Sequence, residues 1–377
     1  MSRDRFARQI AAGLTRAYDA SAGDGETLDV ETARLVIFSD HHRGARDGAD
    51  DFRRCEPAYN AALAHYLAGG HRLLVLGDVE ELWECRPEEV LPAYEHTLGL
   101  EAAFHAQGRY ARFYGNHDDA WRAESAVKTH LQRVLPDLRV REALHIELTD
   151  GGERVGKLFL AHGHQGTADS ERFGWFSRLV VQHVWRPLQR KLNIASTTPA
   201  SDWNLRGRHE GAMFDWARAH RDQPVLITGH THRPIFWTST PEEDFAAREA
   251  QVRAELERER QAPSPTPERL QALGAQLEYL LGQQRRRRGA ARAIEPPCYF
   301  NTGCSSFGDG DITGIEIADG EIRLVRWPDA EGQAAPQQLA CEALRTVLGA
   351  VAGALPSAAG PIQPSRGSGA GEETPRG

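Results

Sequence analysis

Gly77-Asp78-Val79-Glu80-Glu81 closes the apolar run Leu73-Leu74-Val75-Leu76, and the reading of this stretch decides the fold class. A short continuous apolar run that stops at Gly-Asp reads as a strand buried on both faces, with a carboxylate just past its carboxyl end. The same grammar recurs on either side. Leu35–Phe38 stops at Ser39-Asp40-His41-His42, and Tyr110–Tyr114 at Gly115-Asn116-His117-Asp118. Leu158–Ala161 stops at His162-Gly163-His164, and Val225–Thr228 at Gly229-His230-Thr231-His232. Helix-length stretches, Pro57–Ala68 and Glu88–Gln107, separate the first three runs. The order β-α-β-α-β predicts an α/β fold. In such sheets functional groups collect at the carboxyl ends of the strands, where these Asp, Asn and His residues fall.

The chain has 377 residues, with 45 Lys+Arg against 53 Asp+Glu and a formal net charge of -8. That balance argues against general nucleic-acid binding over the whole surface. The four-arginine run Arg285–Arg288 leaves a local nucleic-acid contact open, but a solvated helix end is the preferred reading. No apolar run is long enough to cross a bilayer, and Met1–Phe6 leads into a charged amphipathic stretch, so a cytoplasmic location without a transmembrane segment is expected. The five cysteines, Cys55, Cys85, Cys298, Cys304 and Cys341, form no C-x-x-C pair. They are expected as free thiols, with neither a disulfide framework nor a thiolate zinc site.

The organisation follows from the same patterns. Residues 1–30 are read as an N-terminal helical segment, with Phe6, Ile10, Leu14 and Ala17-Tyr18 at helical spacing. Residues 31–330 form the main domain, with two helical insertions. The first, 165–220, is lid-like and carries the aromatic Trp175–Leu192 stretch and a polar stretch near Thr197–Asp202. The second, 241–293, is a helical hairpin broken at Pro263–Pro267, with Phe245, Val252 and Leu256 on one arm and Leu270, Leu273, Leu277 and Leu280 on the other. Ile312–Ala318 and Ile322–Trp327 alternate around Asp319-Gly320, a hairpin signal. Residues 331–377 are read as a tail, disordered from about Gly353 because the composition turns to Gly, Pro, Ser and Ala.

Each strand-end fragment is weak alone, since an Asp or His there is more often a hydrogen-bonding cap than a ligand. Asp40 and His42, two residues apart, can project the same way and grip one ion, and His230 and His232 are again two candidate ligands separated by one residue. Five such fragments in this order are hard to read as purely structural.

Together D-x-H, G-D-x-x-E, G-N-H-D, the strand-end His162 and G-H-x-H resemble the calcineurin-like metallophosphoesterases from about Leu35 to Trp327, outside the insertions. Asn301-Thr302-Gly303 resembles the family's late N-x-G segment. The resemblance implies an α/β fold in which a two-sheet β-sandwich is flanked by helices, a four-layer α-β-β-α arrangement with helical insertions. It implies two divalent metal ions, Mn²⁺ ahead of Fe or Zn²⁺, which suits nitrogen and oxygen donors without thiolates. Asp40, His42 and His232 would hold one ion, Asn116, His162 and His230 the other, and Asp78 would bridge them. The pair would activate a hydroxide for attack on phosphorus, with His117 assisting the leaving group. Glu81 would stand behind the ligands, and His164 and Asp118 would orient them. His41 and Arg43 are candidates for facing the substrate or backing the ligands.

The implied activity is metal-dependent hydrolysis of a phosphoester, the substrate being a phosphorylated small molecule or a lipid-linked one. The alternatives are a nucleotide-sugar or lipid pyrophosphatase and a non-catalytic metal-binding scaffold. Gly77–Glu84 and the lid-like insertion are similar to the branch that cleaves UDP-diacylglucosamine, but that branch commonly has Arg where this chain has His117, so its substrate is not assigned from sequence.

Overall fold

The computed structural model describes residues 3–47, 50–167, 203–236, 298–329 and 335–353, with scattered positions between 249 and 277. Two mixed sheets pack face to face with helices on their outer faces. The seven-stranded sheet is built on β2 (Leu35–Phe38), β3 (Arg72–Leu76), β4 (Tyr110–Phe113) and β5 (Val140–Arg141), all parallel. Antiparallel β11 (Ile312–Ala318), β12 (Glu321–Trp327) and β13 (Gln337–Ala343) extend it beyond β2. The six-stranded sheet has the order β1 (Glu26–Asp29), β6 (Ala143–Asp150), β7 (Glu153–Ala161), β8 (Val225–Thr228), β10 (Tyr299–Thr302), β9 (Pro234–Phe236).

Side-chain alternation along the central strands explains the layering. Leu35 and Ile37 of β2, and Leu74 and Leu76 of β3, join the apolar cluster that the two sheets share, whereas Val36, Phe38, Leu73 and Val75 join a second cluster on the opposite face. That second face is covered by α2 (Glu56–Ala68) and α4 (Glu95–His105), through Tyr59, Leu63, Tyr66 and Phe104. A strand buried on both sides needs a continuous apolar run, which is why these runs do not alternate with polar residues. Each fully buried aliphatic side chain contributes about 1.5–3 kcal/mol relative to exposure.

The outer face of the six-stranded sheet carries α1 (Arg3–Ala20) and α6 (Trp203–Ala219). Phe159 of β7 meets Tyr18 at 5.0 Å and Trp216 at 5.6 Å between ring centroids, and Trp216 Nε1 donates to Thr15 Oγ1 at 2.9 Å. The stretch 88–107 is not one helix: α3 (Pro87–Ala93) ends beside Pro92, which lacks an N–H, and Tyr94 leaves helical geometry before α4 begins. The Asp319-Gly320 turn is as expected, with both residues at positive φ and Ala318 paired to Glu321. Residues 337–353 form β13 and then α7 (Leu344–Gly353), whose Leu344, Val347 and Leu348 enter the shared core. Sequence reading found neither element.

Val252, Leu256 and Leu273 form a small apolar cluster with Leu270 and Leu277. The aromatic stretch 175–192, the polar stretch 197–202, Phe245, Leu280, residues 263–266 of the expected break, Arg285–Arg288 and the tail beyond 353 lie outside the described residues. Among the described residues no helix is long and apolar enough to cross a membrane.

Candidate metal centre

Every expected ligand follows a strand. Asp40 and His42 follow β2, Asp78 follows β3, Asn116 follows β4, His162 follows β7, and His230 and His232 follow β8. The first four come from one sheet and the last three from the other. The backbone is forced at five of them: φ is +55° at Asp40, +52° at His42, +50° at Asp78, +69° at His230 and +54° at His232. Left-handed geometry at a non-glycine residue costs about 1–3 kcal/mol and persists only where the surroundings enforce it, as at functional sites. Gly77 and Gly115 allow the β3 and β4 loops to touch. A Cβ on Gly77 would fall 2.5 Å from Gly115 N, and one on Gly115 would fall 2.7 Å from Asp78 N.

Among the described residues three groups of three possible donors occur; one is His42, Glu81 and His117, and the other two are made of expected ligands alone. Asp40, His42 and His232 each bring one donor atom within 4.8 Å of the others, and so do Asp78, His162 and His230. His232 Nε2 lies 3.3 Å from Asp40 Oδ1 and 3.1 Å from His42 Nε2, while His162 Nε2 lies 3.1 Å from Asp78 Oδ2. Asp78 Oδ2 is also 4.0 Å from His42 Nε2, so this one carboxylate faces both clusters. The Asn116 side-chain oxygen is buried with no hydrogen-bond partner. An unpaired buried amide oxygen and crowded imidazole nitrogens are a donor set that a hard or borderline divalent cation would satisfy.

Hydrogen bonds behind the donors fix them. The Asp118 carboxylate accepts from the backbone N–H groups of Gly115 (2.6 Å), Val79 (2.9 Å) and Asp78 (3.2 Å), tying two ligand loops together. Burial and the Asp78 and Glu80 charges push its pKa up to about 7. Backbone N–H groups of His117 and His230 donate to Asp78 Oδ1 (2.8 Å) and Asp40 Oδ2 (2.9 Å). His162 Nδ1 meets the Leu76 carbonyl at 2.7 Å, which leaves Nε2 facing Asp78. Asn301 Nδ2 donates to the Gly229 carbonyl at 2.6 Å, holding the loop that carries His230. His164 is buried, 5.3 Å ring to ring from His162, and burial followed by the His162 charge lowers it to about 3.

Glu81 sits between two imidazoles, its Oε2 3.0 Å from His42 Nδ1 and 2.7 Å from His117 Nδ1. Burial raises the Glu81 carboxyl, but His117 and His42 outweigh it and hold the pKa at about 2. An ionised carboxylate only accepts, so both Nδ1 atoms carry protons and both Nε2 atoms face away from Glu81.

The carboxylates hold charge on the imidazoles. Burial lowers His42, yet Glu81, Asp78 and Asp40 together raise it to about 10; Asp78 likewise raises His162 to about 9 against its burial. Both are therefore protonated at pH 7, and an imidazolium cannot coordinate. Divalent-ion uptake is expected to release protons and to strengthen as pH rises from 6 towards 9. Calorimetric titration of Mn²⁺ at pH 7 in two buffers of different ionisation enthalpy checks this. Identical heats in both would contradict it.

Two expectations are corrected. Arg43 is not substrate-facing. It is fully buried, ion-paired to Glu101 and lying over the Phe52 and Tyr59 rings at 5.1 and 5.5 Å. Its carbonyl accepts from Glu81 N–H and its N–H donates to the Val79 carbonyl, so the β2 and β3 loops run side by side there. His41 is also fully buried, 4.5 Å ring to ring from Tyr59, with both nitrogens unpartnered. Both side chains turn into the helix-covered face of the sheet, away from the clusters. Arg43 belongs to a buried quartet with Glu101, Arg112 and Glu80. Trp121 Nε1 and Tyr110 Oη, each 2.9 Å away, donate to Glu80 and Glu101.

Sequence reading did not single out this quartet, nor His209 of α6. His209 Nε2 meets the Gly163 carbonyl at 2.9 Å and its ring is 4.9 Å from that of His230. A helix residue paired to a distant backbone carbonyl leaves no pattern in sequence.

Two sheets whose strand ends converge on carboxylate–imidazole clusters define a class, α/β proteins with a candidate metal site between two sheets. No protein-family profile matches the chain. Among curated proteins it is similar to the UDP-2,3-diacylglucosamine hydrolase of Aromatoleum aromaticum, with 30% identity over 206 residues, 49% of this chain and 78% of that relative. On that relationship the chain belongs to the family of that hydrolase, within the calcineurin-like metallophosphoesterases.

Proposed function

We propose that the chain is a metal-dependent phosphoesterase working through two divalent ions in a four-layer metallophosphoesterase fold. What carries the reading is Asp78, a single buried carboxylate facing both clusters. Asp40, His42 and His232 would hold one ion, and Asn116, His162 and His230 the other, with Asp78 shared. When bound, the ions supply Lewis acidity to the phosphoryl oxygens and lower the pKa of water for in-line attack.

The remaining work falls to the chain. Glu81 keeps the proton on His117 Nδ1, so Nε2 is the atom that meets the substrate. Glu81 and Asp78 raise the His117 pKa against its burial, which favours the charged form whose Nε2 can give a proton to the departing oxygen. The strained strand-end backbone keeps the donors in place before substrate arrives.

A second reading follows from the relative: hydrolysis of a nucleotide-linked diacylglucosamine at its pyrophosphate. His117 is the residue against it, since an imidazole is shorter than the arginine commonly found there and cannot clamp a phosphate bidentately.

Purified protein with Mn²⁺ is expected to hydrolyse p-nitrophenyl phosphate or its bis-ester, and to lose turnover on chelation. Running UDP-2,3-diacylglucosamine alongside separates the two readings. Absence of turnover on all three, with metal demonstrably bound, would leave only a metal-binding scaffold.

A further inference from the structure

Trp83 is a large aromatic side chain that stays out of both apolar cores, although its neighbours Val79, Leu82 and Cys85 are in one of them. It is partly exposed and lies against His117, which shares Glu81 with the candidate ligand His42. Its ring stacks on that of His117, with centroids 4.0 Å apart and planes at 20°. On another side the His42 ring meets His117 edge-on, at 4.6 Å and 90°. Glu81 holds Nδ1 through both carboxylate oxygens, at 2.9 and 2.7 Å.

These contacts restrain different motions. A carboxylate at Nδ1 selects the tautomer but leaves the imidazole free to pivot about that hydrogen bond. A flat indole pressed on one face, with a second ring closing another side, removes the pivot. Only Nε2 is then left to point outward. General acid catalysis requires hydrogen-bond reach, so even a small tilt of the ring weakens the transfer.

We infer that Trp83 is a positioning residue, whose stacked indole fixes the plane of His117 so that Nε2 is aimed at the leaving-group oxygen. This rests on the phosphoesterase reading above. The proton moves from His117 Nε2 to the oxygen as the P–O bond breaks, so its effect scales with how poor the leaving group is.

The test compares Trp83→Leu, Trp83→Phe and wild type on phenyl phosphate and on 2,4-dinitrophenyl phosphate, with metal content and circular dichroism as controls on folding. Trp83→Leu is expected to lower kcat roughly 10–100-fold on the phenyl ester but only about threefold on the dinitrophenyl ester, whose departing oxygen needs no proton. Trp83→Phe keeps a stacked ring and is expected to recover most of the loss. An equal fall on both esters overturns the proposal. So does a higher KM at unchanged kcat, which would make Trp83 a substrate-stacking surface.

A second readout does not depend on turnover. The His117 ring protons, assigned by their loss in His117→Ala, should lie upfield in wild type under the indole ring current. They should move downfield in Trp83→Leu, and unmoved resonances overturn the proposal. If wild type cleaves neither monoester, the bis-esters of the same two phenols replace them; if it cleaves none of the four, the phosphoesterase reading fails, and the resonances alone decide whether Trp83 holds the ring.

Discussion

Asp78→Asn is expected to reduce the bound metal from two ions per chain to one at most, and turnover with it by about 100-fold or more, since removing even a group behind a ligand typically costs 10–100-fold. The substitution preserves shape and removes the charge. Asp78 is buried, its Oδ1 accepts the His117 N–H at 2.8 Å, and its Oδ2 faces His162 at 3.1 Å and His42 at 4.0 Å. The carboxylate is held ionised well below the usual range: burial opposes ionisation, but the His162, His117 and His42 charges and the His162 hydrogen bond outweigh it. An amide keeps one carbonyl oxygen for the His117 N–H and loses the shared anion. Elemental analysis of dialysed protein and kcat on p-nitrophenyl phosphate measure the two effects. A variant that retains two ions and wild-type turnover would remove the dinuclear proposal.

The second large effect concerns stability. Arg112→Met is expected to destabilise the fold by about 3–5 kcal/mol, because it leaves an uncompensated charge where none can be solvated. Arg112 and Glu80 are both fully buried and ion-paired, and Arg112 NH1 lies 3.7 Å from Glu101. Urea unfolding measures the loss. The double variant Glu80→Leu/Arg112→Met is expected to regain most of it, since a buried pair exchanged for apolar residues of similar volume is often neutral. If the single variant is as stable as wild type, the quartet does not sustain the fold. Because Glu80 adjoins Glu81 and lies two residues past Asp78, the single variant is also expected to bind metal more weakly.

The strands that carry the site were legible because each is buried on both faces and ends in a residue whose chemistry stands out. Leu73–Leu76 and Val225–Thr228 are such cases, and the structure ends β3 and β8 at those residues. The candidate pairs separated by one residue, Asp40/His42 and His230/His232, stood out for the same reason, and the structure brings their members into the two clusters. Arg43 was misread because its partner, Glu101, lies 58 residues away on a helix, and a charged residue next to a ligand looks like a substrate contact until its burial is known. β13 was invisible because it is an edge strand, largely exposed, with no apolar alternation to mark it. Its partner register with β12 even shifts at Leu324/Val325. The helix α7 was masked by the Gly- and Ala-rich composition of its surroundings.

Each cluster takes donors from both halves of the sandwich. Asp40 and His42 come from the seven-stranded sheet and His232 from the six-stranded one; Asp78 comes from the former, His162 and His230 from the latter. Any cation seated there is a rivet through the seam, and sliding of one layer against the other would have to shear it. On the proposed function, substrate chemistry and resistance to mechanical or thermal slippage are joined at one point, so loss of the reaction alone would not make the histidines dispensable.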